Sequence, residues 1–70
     1  MTLRFLGKDP DSPSGGSPTL WQDQNTGDLI VQGYTLTDLV AVGEVGDIPP
    51  GEAVIRIPLR MLQFLPKAEQ

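Results

Sequence analysis

Apolar residues alternate with polar ones only in short runs along this chain, and glycine or proline closes almost every run. Thr2-Leu3-Arg4-Phe5-Leu6 has the period of a strand, with Leu3 and Phe5 facing one way and Arg4 the other. Leu6 spoils the alternation, and Gly7 is expected to end the strand. Thr19-Leu20-Trp21-Gln22 and Leu29-Ile30-Val31-Gln32-Gly33-Tyr34 read as two more strands. The connection between them holds Asn25 and Gly27, residues that tolerate positive φ, so these two strands are expected to form a hairpin. Ala53-Val54-Ile55-Arg56-Ile57 carries the strongest strand pattern of all, and Pro58 stops it because proline has no N–H to give a central ladder.

The remaining segments are turns and short helical pieces. Lys8 to Pro18 is rich in Pro, Gly, Ser and Asp, which predicts an exposed, flexible loop. Thr35 to Gly46 supports two readings. Thr37 or Asp38 can cap a short helix with Leu36, Leu39 and Val40 on one side, whereas the β-branched Val40, Val42 and Val45 oppose one and Gly43 and Gly46 are expected to interrupt it. One helical turn or an irregular segment is expected there. Ile48-Pro49-Pro50-Gly51-Glu52 is a turn, with Pro50 and Gly51 at the second and third positions of type II. Leu59 to Leu65 holds good helix formers between Pro58, which fits a first helical position, and Pro66. Leu59, Leu62 and Leu65 recur every three residues, as a short helix or 3₁₀ piece requires. Residues 67–70 are expected to fray.

About four short strands and a C-terminal helical turn make a mainly β chain. It is read as one small domain spanning 1–70: an antiparallel sheet or a partial barrel, the first and last strands lying side by side. With 70 residues, such a chain buries only about 60% of its unfolded surface. A single open sheet is then marginal unless it curls or another chain covers its apolar face.

Charge narrows the function classes. The five basic residues, Arg4, Lys8, Arg56, Arg60 and Lys67, all lie near the ends, while every acid except Glu69 falls between Asp9 and Ile55. The net charge is −4 and the pI about 4.3. That middle segment repels a phosphate backbone, so nucleic-acid binding is not the leading expectation. An alternative remains if Arg4, Arg56 and Arg60 gather into a local basic patch, as does a third reading, an acidic antitoxin or nucleic-acid mimic seated on a basic partner. No run is long and apolar enough for a membrane span, and Met1 to Gly7 lacks the apolar region of a signal peptide. A cytoplasmic location is the expectation.

Catalytic chemistry has little to work with. The chain has no Cys and no His, which removes disulfides, zinc fingers, Cys nucleophiles and His-based triads. Most of the carboxylates sit in predicted loops, where water keeps them ordinary acids. Neither Asp9-Pro10-Asp11 nor Asp23 to Asp28 matches an EF-hand: counted from Asp23 the sixth position is Asp28 and the twelfth Tyr34. Gly15-Gly16-Ser17 has no following Lys and is no P-loop. An enzyme is not expected, nor a cofactor or metal. Trp21 and Tyr34 either anchor the core or face a partner.

The C-terminal segment is the better candidate. Leu59, Met61, Leu62, Phe64 and Leu65 are too many apolar side chains for one face of a single turn. They either complete the core or meet a second chain, and both can hold. The candidate partner contacts are Leu59, Met61, Leu62, Phe64, Arg56 and Arg60. Met1 to Pro10, Gly33-Tyr34-Thr35-Leu36-Thr37-Asp38 and Pro50 to Pro58 resemble a group of small uncharacterised actinobacterial proteins, often encoded beside helix-turn-helix transcriptional regulators. The resemblance implies an accessory or regulatory role in the cytoplasm. The expected function is thus a protein–protein interaction module, acting as a homodimer or as the partner of a regulator through the C-terminal apolar segment and an exposed strand edge.

Overall fold

A computed structural model describes residues 2–11 and 18–66. Five strands, one α-helix and one 3₁₀ helix follow in the order β1 (Leu3–Lys8), β2 (Thr19–Asp23), β3 (Leu29–Gln32), β4 (Tyr34–Thr35), α1 (Leu39–Val45), β5 (Ile55–Arg56) and η1 (Leu59–Phe64). They form two small antiparallel sheets, β1-β2-β3 and β4-β5. The chain is therefore mainly β and antiparallel, as its pattern predicts, and among the described residues no barrel closes.

The β2–β3 hairpin forms as expected. Its connection is held by Asp23, whose Oδ1 accepts from the backbone N–H groups of Asn25 at 2.8 Å and Thr26 at 3.3 Å. The first strand departs from expectation. β1 does not end at Gly7 but continues to Lys8, because Leu6 is a bulge: Phe5 pairs with Trp21 and Gly7 with Leu20, leaving Leu6 without a partner on β2. The broken alternation at Leu6 is the trace of that extra residue. Gly7 is buried, and a Cβ placed on it would collide with the Phe64 ring, so only glycine fits beneath that aromatic without rearrangement.

That contact fixes which face of the sheet is covered. Gly7 and Leu20 are directly opposite one another and therefore share a face. η1 packs against β1 and β2 on that side. Leu20 at 1% exposure, Met61 at 0% and Pro18 are the fully buried apolar side chains of the described residues. The other face carries Phe5, Trp21 and Ile30 side by side in one cross-strand row.

The C-terminal helix is 3₁₀, and its rows are inverted relative to the leucine repeat. With three residues per turn, positions i and i+3 eclipse. Met61 is buried and Phe64 half-buried, whereas Leu59, Leu62 and Leu65 face out. Pro58 caps η1 from outside instead of opening it, its carbonyl accepting from the N–H of Met61 at 3.0 Å.

Four further expectations are corrected. The last strand does not neighbour the first; β5 pairs with β4, Tyr34 opposite Arg56 and Thr35 opposite Ile55. Residues 53–57 shorten to the two-residue β5, extended by one bond from Leu36 N–H to the Val54 carbonyl at 3.2 Å. The run 29–34 divides at Gly33, over which Ile57 and the Arg56 carbonyl lie so closely that a side chain there would collide with both. In the ambiguous stretch a seven-residue helix forms, longer than one turn. Asp38 caps it, Oδ1 accepting from Val40 N–H at 2.9 Å and Ala41 N–H at 3.4 Å, and Gly46 closes it. Capping at both ends offsets the β-branched residues and Gly43. The Pro49–Glu52 turn forms as expected, with Gly51 at φ +88 and Glu52 N–H on the Pro49 carbonyl at 3.0 Å.

Two stability measurements check this packing by urea denaturation. Met61→Ala should cost about 2–5 kcal/mol, while Leu62→Ala should stay within about 0.5 kcal/mol. Gly7→Ala should cost about 1–3 kcal/mol through overpacking against Phe64, and much less when introduced into Phe64→Ala. Equal costs of Gly7→Ala in both backgrounds would show that the ring does not sit over Gly7.

Candidate functional site

The expectation that all loop carboxylates are solvated fails at Asp9. Asp9 directly follows β1, and its N–H donates to the Pro18 carbonyl at 2.9 Å, which carries the β1–β2 pairing one step further. The side chain is 1% exposed. Arg60 of η1 closes a fork on it: Nε donates to Oδ1 at 2.7 Å and Nη2 to Oδ2 at 2.8 Å. Asp11 donates its N–H to Asp9 Oδ1 at 3.0 Å and brings its own carboxylate to 3.7 Å from Arg60 Nε. Two parallel charge-assisted bonds of this kind are the strongest polar contact that arginine makes. The Arg60 hydrogen bonds hold the Asp9 carboxyl below its usual range, against the opposing effect of burial, and Asp9 in turn raises Arg60. Lys8 to Pro18 is thus not a loop throughout: Lys8 is strand and Asp9 is anchored. Residues 12–17 lie outside the described residues.

The six sequence candidates separate accordingly. Met61 belongs to the core and is removed from the surface set, because the i, i+3 row it shares with Phe64 is the one turned inward. Phe64 rests on Gly7. Arg60 is engaged by Asp9, so its charge is compensated within the chain. Leu59 at 80% and Leu62 at 53% exposure remain outward, and Arg56 is exposed on β5. Arg4, Arg56 and Arg60 sit on β1, β5 and η1, three different elements divided between two sheets and a helix.

Further apolar surface lies outside the C-terminal candidates. Phe5 is 61% exposed and Ile30 40%, with Trp21 half-buried between them on the open face. Every residue of β3 is exposed. Leu39 and Val40 at the start of α1 are exposed, and no residue of that helix is buried. Strand period set Leu3 and Phe5 on one side of the first strand, but period alone does not say which face is covered. Tyr34 is also exposed, on β4. Among the described residues no group of three or more Asp or Glu is placed to hold a metal ion, no pocket opens, and no helix is long and apolar enough to cross a membrane.

The Asp9–Arg60 fork gives a pH-dependent prediction. A depressed folded-state pKa contributes stability above the unfolded carboxylate value of about 3.9, lost as pH falls through the lower folded value. The urea midpoint of the native chain should therefore fall below about pH 4 more steeply than that of Asp9→Asn, which should be the less stable of the two near neutral pH. Parallel pH profiles would show that the fork contributes nothing. Compared with known protein families, with curated proteins and with solved structures, the chain finds no match, so its function is read from its own surfaces.

Proposed function

We propose that this chain is a small, non-catalytic protein–protein interaction module. The observation that carries the reading is the imbalance between core and surface. Among the described residues the fully buried apolar side chains are Leu20, Met61 and Pro18, while Phe5, Leu39, Val40, Leu59 and Leu62 are each more than half exposed. Leu59, Leu62 and Leu65 form one row on the outer side of η1, because 3₁₀ geometry stacks positions three apart. A monomeric soluble domain rarely leaves apolar surface of this kind uncovered, and an aliphatic row is a common composition for the centre of an interface.

The row is also firmly presented. Met61 and Phe64 hold η1 from beneath, and the Asp9–Arg60 fork fixes its rotation. A surface held rigid before binding loses less conformational freedom on association. The partner is a second copy or another protein, and the sequence resemblance favours a regulator among the latter. A basic-patch interface for nucleic acid is the weaker reading, since Arg60 is bound to Asp9.

The test pairs light scattering with affinity capture from the native host. A mass above the 7.6 kDa of one chain, or a specifically captured protein, is expected. Leu59→Glu with Leu62→Glu should reduce association at least tenfold while leaving the β circular dichroism unchanged, because both side chains are outside the core. A lone 7.6 kDa species that captures nothing overturns the proposal.

A further inference from the structure

The two edges of the three-stranded sheet are built differently. β1 carries the bulge at Leu6 and the charges of Arg4 and Lys8, devices that keep an edge from pairing with another chain. β3 has none of them: it reads Leu-Ile-Val-Gln, with Leu29 42% exposed and Ile30 and Val31 40%. Its outward backbone groups follow from the hairpin. Asp23 N–H donates to the Asp28 carbonyl at 2.8 Å, which marks that pair as hydrogen-bonded. Bonded and non-bonded pairs alternate along an antiparallel ladder, so Trp21–Ile30 is bonded, while Gln22–Leu29 and Leu20–Val31 are not. Leu29 and Val31 therefore turn their N–H and C=O groups away from β2, toward an edge with no further strand of the described residues beside it.

Resting on the interaction-module reading, we infer that β3 pairs antiparallel with β3 of a second copy about a two-fold axis at Ile30, joining two three-stranded sheets into one of six strands. The alternation of pair types selects the register. A two-fold axis perpendicular to an antiparallel pair must pass between identical residues, since neighbouring pairs are of different type. Centred on Ile30, Leu29 faces the partner's Val31 on both sides of the axis. Four backbone hydrogen bonds then use every outward group of Leu29 and Val31.

Charge and packing agree with that register. Two chains of net charge −4 repel in most orientations. Here the nearest acid, Asp28, falls opposite the amide of the partner's Gln32 and no acid faces another. Centring on Leu29 would set Asp28 against the partner's Ile30, and centring on Val31 would set Ile30 against the partner's Gln32. The open face gives an independent argument. Phe5, Trp21 and Ile30 form one cross-strand row that ends at this edge. With the axis at Ile30 the row runs on without a step into the partner's Ile30, Trp21 and Phe5. A second copy supplies an aliphatic match at each of the three exposed positions, which a foreign strand meets only by carrying the same pattern.

Cysteine scanning tests this directly, because the chain has no cysteine of its own. Ile30 and its symmetry mate form a non-bonded pair, with Cα atoms about 4.5 Å apart, within disulfide range. In the full chain with oxidised glutathione, Ile30→Cys should cross-link to a dimer at least tenfold faster than Leu29→Cys or Val31→Cys. A mixture of Leu29→Cys and Val31→Cys should cross-link between the two variants. Ile30→Lys, which sets like charges on the axis, should convert the dimer to monomer in sedimentation without loss of β circular dichroism. Equal or absent cross-linking at Ile30, or an unaltered mass in Ile30→Lys, overturns the inference. So does a native chain that stays monomeric at near-millimolar concentration. A monomer that still captures another protein through Leu59 and Leu62 overturns only the β3 pairing and leaves the interaction-module reading standing.

Discussion

Arg60 and Asp9 stand 51 positions apart, and their two-bond fork ties the last helical segment to the end of the first strand. The contact is charge-assisted and its acid is shielded from water. A shielded ion pair is poor evidence for large net stability, because desolvating both groups offsets much of their attraction; its established use is to specify one arrangement over others. Here the arrangement is the rotation of η1. Arg60 immediately precedes Met61, so fixing the guanidinium on Asp9 turns Met61 and Phe64 toward the sheet and the Leu59, Leu62, Leu65 row outward. An unpaired Asp9 would leave a shielded carboxylate without compensation, which selects against rotations that break the fork.

Local chemistry was legible in the sequence; the choice of inner face was not. The β2–β3 hairpin, the Asp38 cap, the Pro49–Glu52 turn and the helical piece after Pro58 each follow from residues within a few positions of one another. Leu59 to Leu65 shows where that reasoning runs out. Three residues per turn gives three rows, and the most leucine-rich one looks like the core. The row actually buried is the one whose Phe64 finds a notch at Gly7, 57 positions earlier in the sequence. Likewise Asp9 looked like any loop acid, since nothing near it in the chain names Arg60 as its partner. The bulge at Leu6 left a visible irregularity, but its consequence, moving Gly7 under η1, depends on the strand opposite.

The second sheet is the less secure half of the molecule. β4 and β5 contribute two residues each, and α1 between them buries none of its side chains. A helix of seven residues lies far below the length at which helices persist in water unaided. Its order therefore rests on the caps at Asp38 and Gly46 and on the β4–β5 pairing at its base. Few buried contacts and short ladders place residues 34–56 at the low end of local stability, so this half opens before the sheet clamped by η1 does.

The distribution of acids explains how a chain with so small a core keeps its apolar surface from coalescing indiscriminately. Asp28 borders Leu29, Asp38 borders Leu39, and Glu44 and Asp47 bracket Val45. Charges at the flanks of apolar segments act as gatekeepers, raising the cost of approach in most orientations. They do not block a contact in which the flanking acids fall outside the buried patch or opposite a neutral donor. The surface is thus selective: mass collapse of apolar rows is opposed by net negative charge, while directional docking along a strand edge or a helix row is not. Under the proposed interaction role, sparse burial and flanking acids together let the chain expose what a larger domain would hide and favour a contact in one orientation.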